Sequence, residues 1–210
     1  MNIHMEVKLL TSVQSIKDME KFAALAALTC HANTEKPYVP HGVLGRIIKA
    51  GHESILEHIT LTYSVKGLSR ACLQELARHR HISLSVESTR HTLRKNLANP
   101  TWADEAMNYL HPVALAAKEA STYLLFALIK DLDIPNDELK YYLPEFWPTN
   151  LILTSNIREL RHILTLRTNP AALKEFRALA YSLFDAVPEE YRYLLEDCVY
   201  REKSDEHGQE

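Results

Sequence analysis

Arg78-His79-Arg80-His81-Ile82-Ser83-Leu84-Ser85-Val86-Glu87-Ser88-Thr89-Arg90 packs three arginines, two histidines and three serines into thirteen residues. Arginine's planar fork pairs two-point with phosphate or an ionised imide, and serine hydroxyls and backbone N–H groups fill the remaining acceptor positions. The stretch therefore reads as an anion cradle, and its ligand as a nucleotide.

On its amino side, residues 68–79 have a helical period, with Leu68, Cys72, Glu75 and His79 on one face and Arg70, Gln74 and Arg78 on another. Glu75 interrupts the apolar stripe. It either pairs with a neighbouring arginine or accepts hydrogen bonds from a sugar hydroxyl. Earlier still, Ile59, Leu61, Tyr63 and Val65 alternate with Thr60, Thr62 and Ser64, the pattern of a half-buried strand ending at Gly67. Residues 3–10 alternate like a strand. Ile16, Met19, Phe22, Ala23 and Ala26 then form a helical stripe ending near Cys30, and Val43, Ile47 and Ile48 suggest a short helix closed by Gly51.

On the carboxyl side, a long alanine-rich helix is expected over about residues 104–130. Pro135 and Pro144 bracket a short helix, and residues 151–154 read as a strand or an extended entry to a helix over 156–167. Asn169-Pro170 supplies an N-cap and first-turn proline for a last helix through Phe184. Strands and helices are segregated, so the fold class is α+β: mixed helices and a small sheet in a single domain over residues 1–210, with an acidic tail from about 204 to 210.

The helix over 156–167 places Asn156, Leu160, Ile163 and Arg167 on one stripe. Arg167 thus shares an apolar face although it cannot lose its proton. It needs an anionic partner, which a ligand could supply, or it serves as a last-turn cation worth about 0.3–1 kcal/mol at the helix C-terminus. Arg158, Arg161 and His162 project to the opposite side, as a solvated face or as a second phosphate-facing surface.

Composition narrows the class. Hydrophobic content of 46% with 24% charged residues is that of a globular protein, and the longest apolar run, 124–129, is far too short for a membrane span. The N-terminus lacks a basic region before an apolar stretch, so a cytoplasmic protein with no membrane partner is expected. Net charge of −3 opposes a nucleic-acid partner, although residues 66–95 are locally basic, as a focused cationic pocket requires. Cys30, Cys72 and Cys198 form no C-x-x-C pair. In His52-Glu53-Ser54-Ile55-Leu56-Glu57-His58 the second histidine comes six residues after the first, where a zinc helix needs four, so no metal is expected. No glycine-rich dinucleotide or phosphate loop occurs, and no nucleophile elbow.

Taken in order, His52-Glu53-Ser54, the helix carrying Arg70 and Glu75, the Arg-His-Arg-x7-Ser signature, and Asn156-x-Arg158-x3-His162-x4-Arg167 resemble the motifs of flavin-dependent thymidylate synthases. The resemblance implies that family's fold and its methyltransferase reaction, the reductive methylation of dUMP to dTMP. The carbon would come from 5,10-methylenetetrahydrofolate and the hydride from FAD reduced by NADPH. It implies FAD contacts at Ser54, Arg78, His79, Arg80, Val86, Asn156, Arg158 and His162. It implies dUMP contacts at Glu75, Leu76, Ala77, Arg78, Val86, Glu87, Ser88, Thr89, Arg90, Lys140 and Arg167. It further implies a homotetramer with active sites between subunits, and catalysis without an enzyme cysteine, with Arg167 promoting ionisation at N3 of the uracil.

Three positions depart from the family pattern. Val86 stands where Glu or Gln is frequent, so any contact there comes from backbone, and Glu87 substitutes only with a shifted strand register. His91 replaces a frequent tyrosine. Lys140 replaces a frequent arginine, exchanging a fork for a point charge. The alternative is a non-catalytic nucleotide- or RNA-binding protein, which the lack of aromatic residues in the signature disfavours.

Overall fold

Glu6–Leu9 (β1) and Thr60–Ser69 (β2) pair antiparallel, with Val7 opposite Val65 and Leu9 opposite Tyr63. Lys66 and Glu6 face each other in this register, and their charged ends meet at 2.9 Å. Ile82–Val86 (β3) and Pro148–Asn156 (β4) complete a four-stranded sheet in the order β1-β2-β4-β3. The strand expected to stop at Gly67 runs on to Ser69. Gly67 adopts φ +74°, which a residue without Cβ does freely, and its N–H is accepted by the Asn150 side chain at 3.1 Å. Beyond it the buried set changes from Leu61, Tyr63 and Val65 to Leu68 and Ser69.

This computed structural model describes residues 5–35, 37–98, 120, 121, 123–125, 127 and 134–201. Its helices are Val13–Thr29 (α1), Pro40–Lys49 (α2), Arg70–Leu76 (α3), Thr89–Ala98 (α4), Asn136–Leu139 (α5), Ile157–Arg167 (α6) and Lys174–Asp185 (α7). Short 3₁₀ turns occupy Glu53–His58, Lys140–Tyr142, Glu189–Leu194 and Glu196–Cys198. Among the described residues helix exceeds strand, and the two are segregated as in an α+β fold. Most of the helix expected over 104–130, and the acidic tail, lie outside the described residues; positions 120, 121, 123–125 and 127 are helical.

Side-chain caps set the helix starts. Ser12, Ser69 and Asn156 each accept the N–H three residues on, from Ser15, Cys72 and Glu159. The cap at Ser69 explains why α3 starts later than the periodicity of residues 68–79 suggests: Leu68 and Ser69 still belong to the strand. The last helix also begins later than expected. Asn169 accepts the Ala171 N–H at 2.9 Å in a local turn, and α7 starts only at Lys174.

The chain forms two compact units, Met1–Leu10 with Thr62–Thr154 and Thr11–Leu61 with Ser155–Glu210. In the first, Leu93, Leu125, Leu139 and Trp147 form a buried cluster flanked by Ile134 and Leu143, which seats α4 against α5. In the second, α1 packs on α2 and on the 53–58 turn, and α6 packs on that turn and on α7. Among the described residues, no helix is long and apolar enough to cross a membrane.

Candidate active site

In the first unit the signature begins two residues after α3 ends and runs through all of β3 into the start of α4. Cys72 and Leu76 are buried on α3, Glu75 is half-buried and Ala77 is exposed. Arg78 and Arg80 are exposed and make no ion pair among the described residues, while His79 between them is only 6% exposed. Two uncompensated guanidinium groups two residues apart suit a ligand with phosphate groups. Val86 ends β3 and is exposed.

Glu87 turns inward to the protein. Its carboxylate accepts from Asn96 Nδ2 at 2.8 Å and from Asn150 Nδ2 at 2.5 Å. Burial works against its charge, but the hydrogen bonds from Asn96, Thr92 and Asn150 outweigh that and hold the carboxyl below its usual range. The Ser88 carbonyl receives the N–H groups of His91 and Thr92 at 3.0 and 3.2 Å, so Ser88 stands at the head of α4 with Thr89 and Arg90 in its first turn. The unpaired N–H groups of a helix start favour an anion.

Arg90 and Lys140 come from segments far apart in sequence and meet around Asp137. Arg90 Nε donates to Asp137 Oδ1 at 2.8 Å, and Asn136 Nδ2 donates to the Arg90 carbonyl at 2.7 Å. The Arg90 hydrogen bond first, then the nearby charges of Lys140 and His91, keep the Asp137 carboxyl below its ordinary range. The Lys140 ammonium lies 5.7 Å from the Tyr141 ring. Asp137, one turn before Lys140, was not among the expected site residues; its i, i+3 spacing to Lys140 was the only available signal.

In the second unit, Ser54 sits exposed in the 53–58 turn, and Asn156, Arg158 and His162 sit on or at the head of α6. The Asn156 side-chain oxygen Oδ1 is already used as the helix cap, accepting from Glu159 N at 2.8 Å, so its Nδ2 is what it offers a ligand. Arg158 Nη1 donates to Glu57 at 2.6 Å, and both side chains stay about half exposed.

Arg161 does not lie on a solvated face with Arg158 and His162. It is 5% exposed, and its guanidinium donates to Glu53 at 2.9 Å, to the Leu194 carbonyl at 2.8 Å and to both oxygens of Asp197 at 2.6 and 2.7 Å. Position 161 follows 157 by one turn and precedes 164 by another, which places it along the buried edge of the helix. Burial opposes its charge, but hydrogen bonds to Asp197 and Glu53 prevail and raise its pKa. The reciprocal hydrogen bond lowers that of Asp197.

Arg167 ends α6 half-buried, with its guanidinium 4.5 Å from the centroid of the Phe176 ring. An aromatic face is a partner that neither expectation for this residue named. Such a contact contributes roughly 0.5–2 kcal/mol and orients the planar group. Among the cysteines, Cys72 is buried in α3 and burial pushes the Cys198 thiol up; Cys30 caps α1 through its backbone. Cys198 therefore lacks the lowered pKa of an attacking thiolate.

The first unit thus holds Arg78, His79, Arg80 and Val86 of the expected flavin set, and every expected dUMP residue except Arg167. The second holds Ser54, Asn156, Arg158, His162 and Arg167.

The family model for thymidylate synthase complementing protein matches residues 10–191. A flavin-dependent thymidylate synthase of Helicobacter pylori is 43% identical over 159 residues, covering 70% of this chain and 76% of that protein. One from Campylobacter jejuni is 42% identical over 163 residues, covering 73% and 78%. A crystal structure of thymidylate synthase X from Helicobacter pylori with FAD and dUMP is similar with a TM-score of 0.78 and 35% identity, covering 94% of this chain and 100% of that one. With a family model spanning most of its length and relatives this similar, the chain belongs to the flavin-dependent thymidylate synthases.

Proposed function

We propose that this chain methylates dUMP reductively to dTMP, taking the carbon from 5,10-methylenetetrahydrofolate and the hydride from FAD reduced by NADPH. The observation that carries the reading is the convergence, in the first unit, of the α4 start at Ser88, Thr89 and Arg90 with Lys140 across Asp137. Helix N–H groups, a guanidinium and an ammonium together suit a nucleoside monophosphate. Residues 75–78 and Val86 join the proposed dUMP set together with Arg167, and Glu87 supports it from behind through Asn96 and Asn150 rather than by direct contact.

The exposed Arg78 and Arg80 fit the pyrophosphate of FAD, with His79, Val86, Ser54, Asn156, Arg158 and His162 as the further flavin contacts. When bound, FAD supplies the hydride that completes the methyl group. The protein's part is placement and charge. Arg167, held against Phe176, presents a fixed cation where the uracil ring gains negative charge at N3, which lowers the cost of that ionisation. This polarisation takes the place of cysteine addition.

The acting form in this proposal is a homotetramer with active sites between subunits, with residues 1–210 serving as one domain. It works in the cytoplasm without nucleic-acid or membrane partners, a setting that the net charge of −3 supports. The experiment is direct: record the visible spectrum of the purified protein, then follow dUMP-dependent NADPH oxidation together with thymidylate formation. Bound flavin and stoichiometric thymidylate are expected. Protein that takes up no FAD, or NADPH consumption without thymidylate, overturns the proposal.

A further inference from the structure

We propose that Arg161 is a positioning residue for the flavin: it fixes the 53–58 turn, which carries Ser54, against helix α6, which carries Asn156, Arg158 and His162, with Asp197 as its lock. The inference rests on the reading that those four residues contact FAD.

Helix α6 grips the turn along its whole length. Arg161 holds Glu53 at its first residue, Arg158 holds Glu57 near its last, and the Ile157 N–H donates to the Ile59 carbonyl at 2.8 Å just beyond. The two ion pairs are unequal. The Arg158 side chain is 52% exposed and that of Arg161 only 6%, so water and salt weaken the first pair more than the second. Arg161 also spends its fork in two directions, Nε toward Glu53 and both terminal nitrogens toward Asp197, with the Leu194 carbonyl on the shared Nη1. A planar group held from two sides cannot move toward one partner without losing the other. A buried ion pair contributes little net stability compared with apolar packing of similar size, so a cluster like this one is better understood as setting geometry. The geometry it sets is the spacing of Ser54 from the head of α6.

The test compares FAD affinity, by fluorescence titration of the full-length apoprotein, with thermal stability. Asp197→Asn is the main variant because Asp197 is half exposed and its neutralisation leaves Arg161 paired with Glu53. FAD affinity is expected to fall about fivefold to tenfold, the scale of one weakened charge-assisted hydrogen bond. Arg161→Lys, which keeps the charge but loses the fork, should weaken FAD at least as much as that variant. Tyr193→Phe serves as control: it removes a hydrogen bond to Glu20 in the same unit and should lower stability without moving FAD affinity. Asp197→Asn that loses stability but binds FAD as the parent does overturns the proposal, as does equal weakening of FAD by Tyr193→Phe. Ser54→Ala and His162→Ala separate the two levels. If both bind FAD normally, the flavin assignment itself fails; if they weaken it while Asp197→Asn does not, only the role of Arg161 fails.

Discussion

Arg90 donates its Nε to Asp137 at 2.8 Å, a contact that occupies one edge of the guanidinium and joins α4 to α5. Both side chains are largely exposed, so the pair is an accessible one that a phosphate group can join or displace. Replacing Arg90 by Ala is expected to weaken dUMP binding roughly 10- to 100-fold, the range for a hydrogen bond to a charged group. Calorimetric titration of the FAD-loaded enzyme with dUMP checks this, and unchanged affinity removes Arg90 from the substrate site.

Arg167→Ala should separate binding from turnover. The variant is expected to retain FAD and to lose turnover by about 100-fold or more, the effect of deleting a group that stabilises developing charge. Single-turnover thymidylate formation gives the answer. A rate near that of the parent would remove the catalytic assignment.

Acid should loosen the Arg161 cluster. Asp197 has a lowered pKa in the folded chain because of its hydrogen bond from Arg161, against an ordinary value of about 3.9. A group depressed in this way stabilises the fold above its unfolded pKa, and that stabilisation is lost as pH falls through the folded value. The melting temperature of Asp197→Asn should therefore lie below that of the parent at pH 7, and the gap should close as both are acidified below about pH 4. A gap that is independent of pH would contradict this.

Tyr63 offers a prediction about stability alone. It is fully buried on β2, its hydroxyl has no hydrogen-bond partner among the described residues, and burial pushes its pKa up. An unsatisfied buried hydroxyl is costly, so Tyr63→Phe should be neutral or stabilise the protein by up to about 1 kcal/mol. Urea unfolding of the two proteins measures the difference, and a loss above that size would mean the hydroxyl has a partner.

Much of the fold was legible because its signals are local. The alternation of Leu61, Tyr63 and Val65 and the stripe through Leu160 and Ile163 are buried as their periods require. The errors fell where one residue's backbone or side chain had two uses. Gly67 was taken as a stop, yet its positive φ carries the strand onward; Asn169 was taken as a cap, yet it closes a turn. In the site, the cationic character of residues 78–90 was evident from composition. The occupant of each cation was not: Asp137 for Arg90, the Phe176 ring for Arg167, and Asp197 with Glu53 for Arg161.

The amino-acid order alone determined several of the apolar strand and helix stripes, the cationic signature and the family. Those depend on repeats of two or 3.6 residues and on short motifs, which are complete within a few turns of chain. Only the tertiary structure decided whether an arginine is buried or exposed. Arg161 and Arg158 are neighbours on one helix with the same chemistry, but the partners that bury Arg161 lie 36 and 108 positions away, where chain folding, and no local period, brings them.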